Sequence, residues 1–361
     1  MKKVIVILFL VMIVLPSFSQ KTIRIEPTQI NSIVRELKDS LNIPGIAVGI
    51  AIGKKVKYEN SFGYNDLEMK TELTDNSIWQ ICSITKQFTT VACLKLIDEN
   101  KLSIQDKISK YFDNLPESYR NITVYNLLTM TSGIKDYINE KDLYDSTWEN
   151  VRDNVLSDSL NFKPGNAWSY SNTGFWIAAK IIEKITGMDY SQYLEQNFFA
   201  KLKMENTKRF SIETNKGSMV KGYVYKDKQY FPPSLDITKF HGQGDGEIAS
   251  TLSDLLKWNI ALAHGEIINK ELISKMWTPT KLNNGETTEV FPNSGMNYGM
   301  GWFIKNIDNN KIVWTPGSGF GFSTTSQYVP KYDLTVIVFC SKEQFLMADK
   351  IGFEIIKELT Q

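Results

Sequence analysis

Ser83-Ile84-Thr85-Lys86-Gln87-Phe88-Thr89-Thr90-Val91-Ala92-Cys93-Leu94-Lys95-Leu96 is the stretch around which the rest of the sequence can be organised. Its apolar positions Ile84, Phe88, Val91 and Leu94, with Ala92 and Leu96 beside them, recur at helical spacing. The spacing predicts a helix over 83–99, closed by Asn100. Ser83 stands at its mouth, where unpaired N–H groups and positive potential suit a developing oxyanion. Lys86 follows three residues later, about one turn, on the same face. A serine hydroxyl becomes a nucleophile only when a base takes its proton. A lysine can be that base only when burial or a neighbouring cation lowers its pKa. The S-x-x-K spacing alone is also met by an N-cap serine followed by a solvated lysine. Indeed Ser132-x-x-Lys135 and Ser218-x-x-Lys221 repeat it. Ser132 lies in the turn-like Thr131-Ser132-Gly133 and Ser218 in a polar loop, so only Ser83 has a long apolar helix behind it.

Working outward, strand-like residues 45–52, a turn at Gly53-Lys54-Lys55 and residues 56–62 form an expected β-hairpin. From about residue 100 to 240 the pattern is helical and loop-rich. Thr123 is placed to cap a helix over 122–130, and residues 174–186 form an amphipathic helix ending at Gly187. A short helix is expected over 189–199, and Thr251-x-x-Asp254 resembles a capping box. Strand patterns return at 298–304, 311–315, 323–329 and 334–340, with a turn at 330–333 and a last helix over 348–359. The fold class expected is α+β. One antiparallel sheet is built from both chain ends and flanked by helices, with a mostly helical region inserted. The expected division is a leader over 1–19 and one catalytic domain over 20–361, its α/β part at about 25–85 and 240–361 and its helical part at about 86–239.

Two further segments carry chemistry. Tyr170-Ser171-Asn172 follows the rigid turn Pro164-Gly165-Asn166-Ala167-Trp168 and precedes a helix. A tyrosine held there can relay the Ser83 proton to a leaving group, and the Asn172 amide can hold a substrate carbonyl or Lys86. The bare Y-x-N pattern also occurs at Tyr58, Tyr119 and Tyr137, so the turn before Tyr170 sets it apart. In Trp314-Thr315-Pro316-Gly317-Ser318-Gly319, a glycine-rich strand edge lets a substrate lie against backbone, and its N–H groups can complete an oxyanion hole. With two histidines, His241 and His264, neither near a Gly-x-Ser-x-Gly turn, a Ser-His-Asp triad is disfavoured. No zinc motif, P-loop or dinucleotide fingerprint is present, so no metal or cofactor is expected.

The bulk properties set the outer bounds. The 361 residues are 42% hydrophobic, enough for a large core, and 41 basic against 40 acidic residues leave a net charge of +1. That balance offers no face for nucleic acid or an anionic membrane. Lys2 and Lys3, the apolar run 4–15 and the small residues Ser17 and Ser19 have the form of a cleaved export signal, too short for the ~20 residues of a bilayer span. A periplasmic or secreted protein without a stable membrane anchor is expected. Cys82, Cys93 and Cys340 are odd in number, and Cys82 and Cys93 would lie ~16 Å apart along the helix, so the fold rests on its core rather than on disulfides.

Taken together, these elements resemble the serine β-lactamase-like hydrolases of the class C type, which include DD-peptidases, D-aminopeptidases and esterases. The resemblance runs from about residue 27 to 345. It rests on Ile43-Pro44-Gly45-Ile46-Ala47-Val48, Phe62-Gly63-Tyr64, the segment from Ile81 to Thr89, the segment from Ile122 to Ile134, Pro164-Gly165 through Asn172, and Gly244-Asp245-Gly246-Glu247-Ile248 through Asp254-Leu255 and Trp258. It implies a hydrolase that acts on an ester, amide or peptide bond through an acyl-enzyme on Ser83. Lys86 and Tyr170 would be its general base/acid pair, with either of them as the base, and the N–H groups of Ser83 and Ser318 its oxyanion hole. Its partner is a small-molecule or peptide acyl substrate. The chain departs from the family in one place: Thr315-Pro316-Gly317 stands where Lys-Thr-Gly or His-x-Gly is usual. The missing cation leaves a second expectation open, that of a peptidoglycan- or β-lactam-binding protein that acylates slowly or not at all.

Overall fold

The computed structural model describes residues 23–139, 147–156, 159–210, 219–233 and 242–361. The leader-like segment and parts of the loops over 215–243 and 135–153 lie outside them. A first helix, α1 (Pro27–Ser40), leads into strands β1 (Gly45–Ile52) and β2 (Lys55–Asp66). Short strands β3 (Thr71–Glu72) and β4 (Trp79–Gln80) follow, then a single 3-10 turn, Cys82–Ile84, continuous with α2 (Thr85–Asp98). The middle of the chain holds α3 (Val124–Leu128), α4 (Trp148–Val155), α5 (Asn172–Thr186) and α6 (Tyr190–Leu194). It also holds β5 (Lys208–Arg209) and the hairpin β6 (Val224–Lys226) and β7 (Gln229–Phe231). The last part is β8 (Ile248–Ser250), α7 (Leu252–Ala263), α8 (Lys270–Met276), β9 (Asn297–Tyr298), β10 (Phe303–Ile307), β11 (Asn310–Gly319), β12 (Phe322–Val329), β13 (Leu334–Cys340) and α9 (Met347–Thr360).

The main sheet has eight strands in the order β3-β2-β1-β13-β12-β11-β10-β9, every pair antiparallel. The two chain ends meet near its centre, where Ile46 pairs with Cys340 and Ile52 with Leu334. All seven residues of β13 are buried, as expected of a strand covered on both faces. On one face α1 and α9 pack together; on the other lies α7. Neighbouring residues of β12 show the two sides: Thr325 donates to Asp349 of α9 at 2.8 Å, and Ser326 donates to Asn259 of α7 at 2.8 Å.

Local chemistry explains most boundaries. Thr123 and Thr251 cap α3 and α7 by accepting the N–H groups of Asn126 and Asp254. Only the first is a reciprocal box. The Asp254 carboxylate instead accepts from Asn206 N–H at 2.8 Å and from the Thr207 hydroxyl at 3.1 Å. α5 begins earlier than its apolar pattern, because Ser171 caps it through Gly174 N–H at 3.1 Å. α2 departs from the one-faced pattern: it is buried on every side from Thr85 to Leu94. Its polar side chains find partners inside. Gln87 accepts from the Trp258 indole at 3.1 Å, and Thr89 donates to the Gly244 carbonyl at 2.6 Å.

Beyond Trp314, which pairs with Phe303, β11 keeps β12 on one side and leaves its other edge open over 315–319. There it presses against the turn that carries Ser83. A Cβ at Gly317 would sit 2.2 Å from the Thr324 hydroxyl oxygen and 2.5 Å from the Ile81 carbonyl oxygen. Both neighbours are fixed, since Thr324 donates to Ile81 O at 3.0 Å. Gly317→Ala should therefore cost about 1–3 kcal/mol, as overpacking does. Thermal denaturation of the purified variant would show a lowered Tm; an unchanged Tm would contradict this close approach.

Candidate active site

The site is assembled from four segments. The 3-10 turn places the Ser83 side chain, and Cys82 before it takes φ 50°, a left-handed backbone unusual for a residue with a Cβ. One turn on, Lys86 lies inside the protein, 1% exposed. Its Nζ is 3.2 Å from Ser83 Oγ, 2.7 Å from Asn172 Oδ1 and 2.7 Å from the Asp245 carbonyl oxygen. The Tyr170 hydroxyl donates to Ser83 Oγ at 2.8 Å. The Tyr170 ring stands 4.9 Å from Lys86 Nζ. A hydroxyl, an amine and a phenol thus meet at one point.

The loop before Tyr170 is held on an anvil of backbone. Asn161 N–H donates to Gly133 O, Gly165 N–H to Thr131 O and Ser169 N–H to Met130 O. The segment from Leu127 to Ile134 thereby fixes the height of Tyr170 over Ser83. Trp168 packs edge-on against Tyr170 at 6.5 Å and against Phe303 at 6.4 Å, which sets the ring's direction.

Two of the three oxygens around Lys86 Nζ belong to carbonyl groups, which only accept. Two amine hydrogens are therefore committed to Asn172 and Asp245. The third position faces Ser83, a hydrogen in the ammonium form and a lone pair in the amine form. The Asn172 amide is itself fixed. Asp136 Oδ2 accepts its Nδ2–H at 2.8 Å and its backbone N–H at 3.2 Å, so the amide oxygen must point at Lys86. Burial raises the Asp136 carboxyl above its usual range, against the pull of the Asn172 donors and the Lys86 charge. Asp245 is also buried, and burial pushes its carboxyl up to about 8. The Tyr137 hydroxyl donates to it at 2.8 Å. Sequence reasoning misses Asp136, Tyr137 and Asp245 as site residues. The one signal for the two acids is the presence of carboxyls inside segments otherwise destined for burial.

Of the expected cleft residues, Ser83, Tyr170, Asn172 and Ser318 line a cleft of ≈ 470 Å³, and Lys86 lies beneath it. Thr315 and Gly317 do not line it. They share the side of β11 that faces the Ser83 turn: the buried Thr315 hydroxyl donates to Gly301 O at 3.2 Å, and Gly317 makes the close approach described above. Pro316 and Ser318 face the cleft instead. His264 has both ring nitrogens engaged elsewhere, with Ile260 O at 2.8 Å and Asp333 at 2.9 Å. His241 lies outside the described residues. Cys82, Cys93 and Cys340 are buried free thiols, and burial raises all three. No helix among the described residues is long and apolar enough to cross a membrane.

Comparison with known proteins covers nearly the whole chain. The beta-lactamase family matches residues 30–361. Penicillin-binding protein 4* of Bacillus subtilis is 29% identical over 316 residues, 81% of this chain and 67% of the relative. Protein flp of Staphylococcus aureus is 27% identical over 331 residues, 86% of this chain but 62% of the relative, so the chain spans less than two thirds of that protein. Among solved structures, the octameric penicillin-binding protein homologue from Pyrococcus abyssi superposes with a TM-score of 0.80 at 26% identity, covering 92% of this chain and 77% of that one. The fold is thus that of the β-lactamase/transpeptidase type.

The fixed amide and the buried acids can each be tested. Asp136→Ala frees the Asn172 amide to rotate and place its NH2 against Lys86. The rate of Ser83 labelling by a fluorophosphonate should fall about tenfold or more, and less in Asp136→Asn, which keeps an oxygen acceptor. Equal rates in wild type and Asp136→Ala would rule out this positioning role. Separately, the buried carboxyls of Asp245, pushed up to about 8, and Asp349, pushed up to about 7, hold protons that unfolded chains release near pH 3.9. The stability they contribute is present below that pH and is lost as pH rises toward 7–8. Thermal scans should show Tm falling between pH 5 and pH 8, less steeply in Asp245→Asn; a steeper fall in the variant would contradict the assignment.

Proposed function

The chain belongs to the beta-lactamase family, and on that premise we propose that it is a serine hydrolase that cleaves an ester, amide or peptide bond through an acyl-enzyme on Ser83. One observation carries this reading: Ser83 Oγ lies within 3.2 Å of Lys86 Nζ and 2.8 Å of the Tyr170 hydroxyl, on the wall of a cleft wide enough for an acyl substrate. In the proposed acylation, Ser83 Oγ bonds to the acyl carbon while its proton passes into the Lys86–Tyr170 pair. The pair returns that proton to the departing alcohol or amine as the acyl–heteroatom bond breaks. Water then adds to the ester by the reverse route and releases the acid. The N–H groups of Ser83 and Ser318 are the proposed oxyanion donors, offered by the 3-10 turn and the open edge of β11. Pro316 takes nothing from that hole, since the donor is the residue two positions later. Asn172 serves Lys86 through its oxygen, and its NH2 group, held by one hydrogen to Asp136, is proposed to offer the other to a substrate carbonyl. Export to the periplasm or beyond is part of the proposal and rests on the leader-like residues 1–19.

Thr315 supplies no positive charge where the family usually has one, and its hydroxyl is spent on Gly301. A charge-assisted contact to a substrate carboxylate is worth about 1.5–3 kcal/mol, roughly 10- to 100-fold in kcat/KM. Penicillins and peptides ending in D-alanine carry that carboxylate; simple esters do not. The purified protein should hydrolyse a p-nitrophenyl ester with higher kcat/KM than a chromogenic cephalosporin, and Ser83→Ala should abolish both. A fluorescent penicillin that labels Ser83 and stays on would instead favour the slow-acylating binding protein, and faster turnover of the cephalosporin would contradict the argument from Thr315.

A further inference from the structure

The cleft above Ser83 has walls of Trp168, Phe303, Phe320 and Phe345, and among the described residues its lining includes two carboxyls, Asp245 and Glu343, and no lysine or arginine. The two acids are not equivalent. Asp245 is fully buried and receives the Tyr137 hydroxyl. Glu343 is half-buried, just past the end of β13, and one of its oxygens accepts Gly321 N–H at 2.8 Å. No cation pairs with it among the described residues. Lys342, next in sequence, turns the other way: its Nζ donates to Leu41 O at 2.6 Å and lies 5.0 Å from the Tyr225 ring. Lys221 is held by Asp66 at 2.8 Å. The field of Glu343 reaches the nucleophile turn, where, after burial, it is a cause of the raised Cys82 thiol. Two residues on, Phe345, 62% exposed, stands 6.4 Å from Phe291, 41% exposed, and both line the cleft. A lone carboxylate beside such apolar walls is screened less than one in open water, so its preference between charges is sharper.

We infer that Glu343 is a specificity-determining residue that favours esters or amides bearing an ammonium or other cationic group near the scissile bond and disfavours those bearing a carboxylate there. This deepens the hydrolase reading and rests on it. The plainer role for Glu343 is to tie down the β11–β12 turn through Gly321. Glu343→Gln separates the two roles, because glutamine keeps an oxygen acceptor for Gly321 and removes the charge.

The test uses two probe series on the purified protein and on Glu343→Gln. One varies the acyl side: phenylalanine p-nitroanilide, in both enantiomers, against its N-acetyl form. The other varies the leaving side: phenylacetyl esters of choline, of the neutral isostere 3,3-dimethylbutanol and of 3-hydroxypropionate. In at least one series the cationic member should exceed the neutral one about tenfold in kcat/KM, with the carboxylate-bearing ester slowest in the second. Glu343→Gln should bring the cation-to-neutral ratio to within about twofold of unity, at an unchanged Tm. A flat ratio in both series, or an advantage that survives the substitution, overturns the inference. Turnover of p-nitrophenyl butyrate, lost in Ser83→Ala, is measured alongside. Its presence with flat ratios sinks the charge preference alone; its absence takes the hydrolase reading down as well.

Discussion

The structure turns on the enclosure of one amine. Lys86 is a flexible, strongly hydrated side chain that proteins rarely bury, and here it is taken out of water with no carboxylate against it. Neutral carbonyl oxygens from Asn172 and Asp245 replace its hydration, and Ser83 supplies the third contact. Each contact comes from a different stretch of chain: α2 and the turn before it bring the amine and the serine, α5 begins with the asparagine, and the segment before β8 brings the carbonyl. None of these can shift without leaving a polar group unpaired indoors, which costs more than the contact itself yields. The carboxyls of Asp136 and Asp245 lie further out. Neither carboxyl touches the amine: that of Asp136 holds the Asn172 amide and that of Asp245 accepts from the Tyr137 hydroxyl.

The same enclosure explains why β11 is shaped as it is. From Thr315 to Gly319 the strand serves two neighbours at once, with alternate residues turned to opposite sides. The inward positions must be small or internally satisfied, because they lie against the serine turn. The outward positions, Pro316 and Ser318, form part of the cleft wall. A threonine at 315 fits the inward requirement by spending its hydroxyl on a backbone carbonyl.

What is legible in the sequence follows from which features are periodic. The β1–β2 hairpin, β12, β13 and the helices after Thr123, Ser171 and Thr251 announce themselves through alternation, helical spacing or caps. Ser83, Lys86, Tyr170 and Asn172 are legible because three of them sit at helix starts and the fourth follows a rigid turn. α1 carries the same kind of signal, Ile30, Val34 and Leu37 at helical spacing behind Pro27, and is absent from the expected elements all the same. β11 extends beyond its sequence pattern, since proline and two glycines in 316–319 look like a turn until β12 is seen beside them. Asp136 and Glu343 are illegible for a deeper reason. Their significance lies in groups distant in sequence, Asn172 for Asp136 and the Ser83 cleft for Glu343, and no local pattern records that.

The pairing of β1 with β13 has a consequence for how the molecule comes into being. This pair, one strand off the middle of the sheet, joins residues near the start of the chain to residues near its end. The β1–β2 hairpin can therefore join the C-terminal strands only when nearly the whole polypeptide is present, and the loop that this pairing closes is among the longest the chain can make. Until then the apolar strand 45–52 has no central partner to shield it. A nascent chain so organised stays open for as long as its C-terminal strands are withheld, a property that suits passage through a narrow pore and burdens any chaperone that must keep it from aggregating.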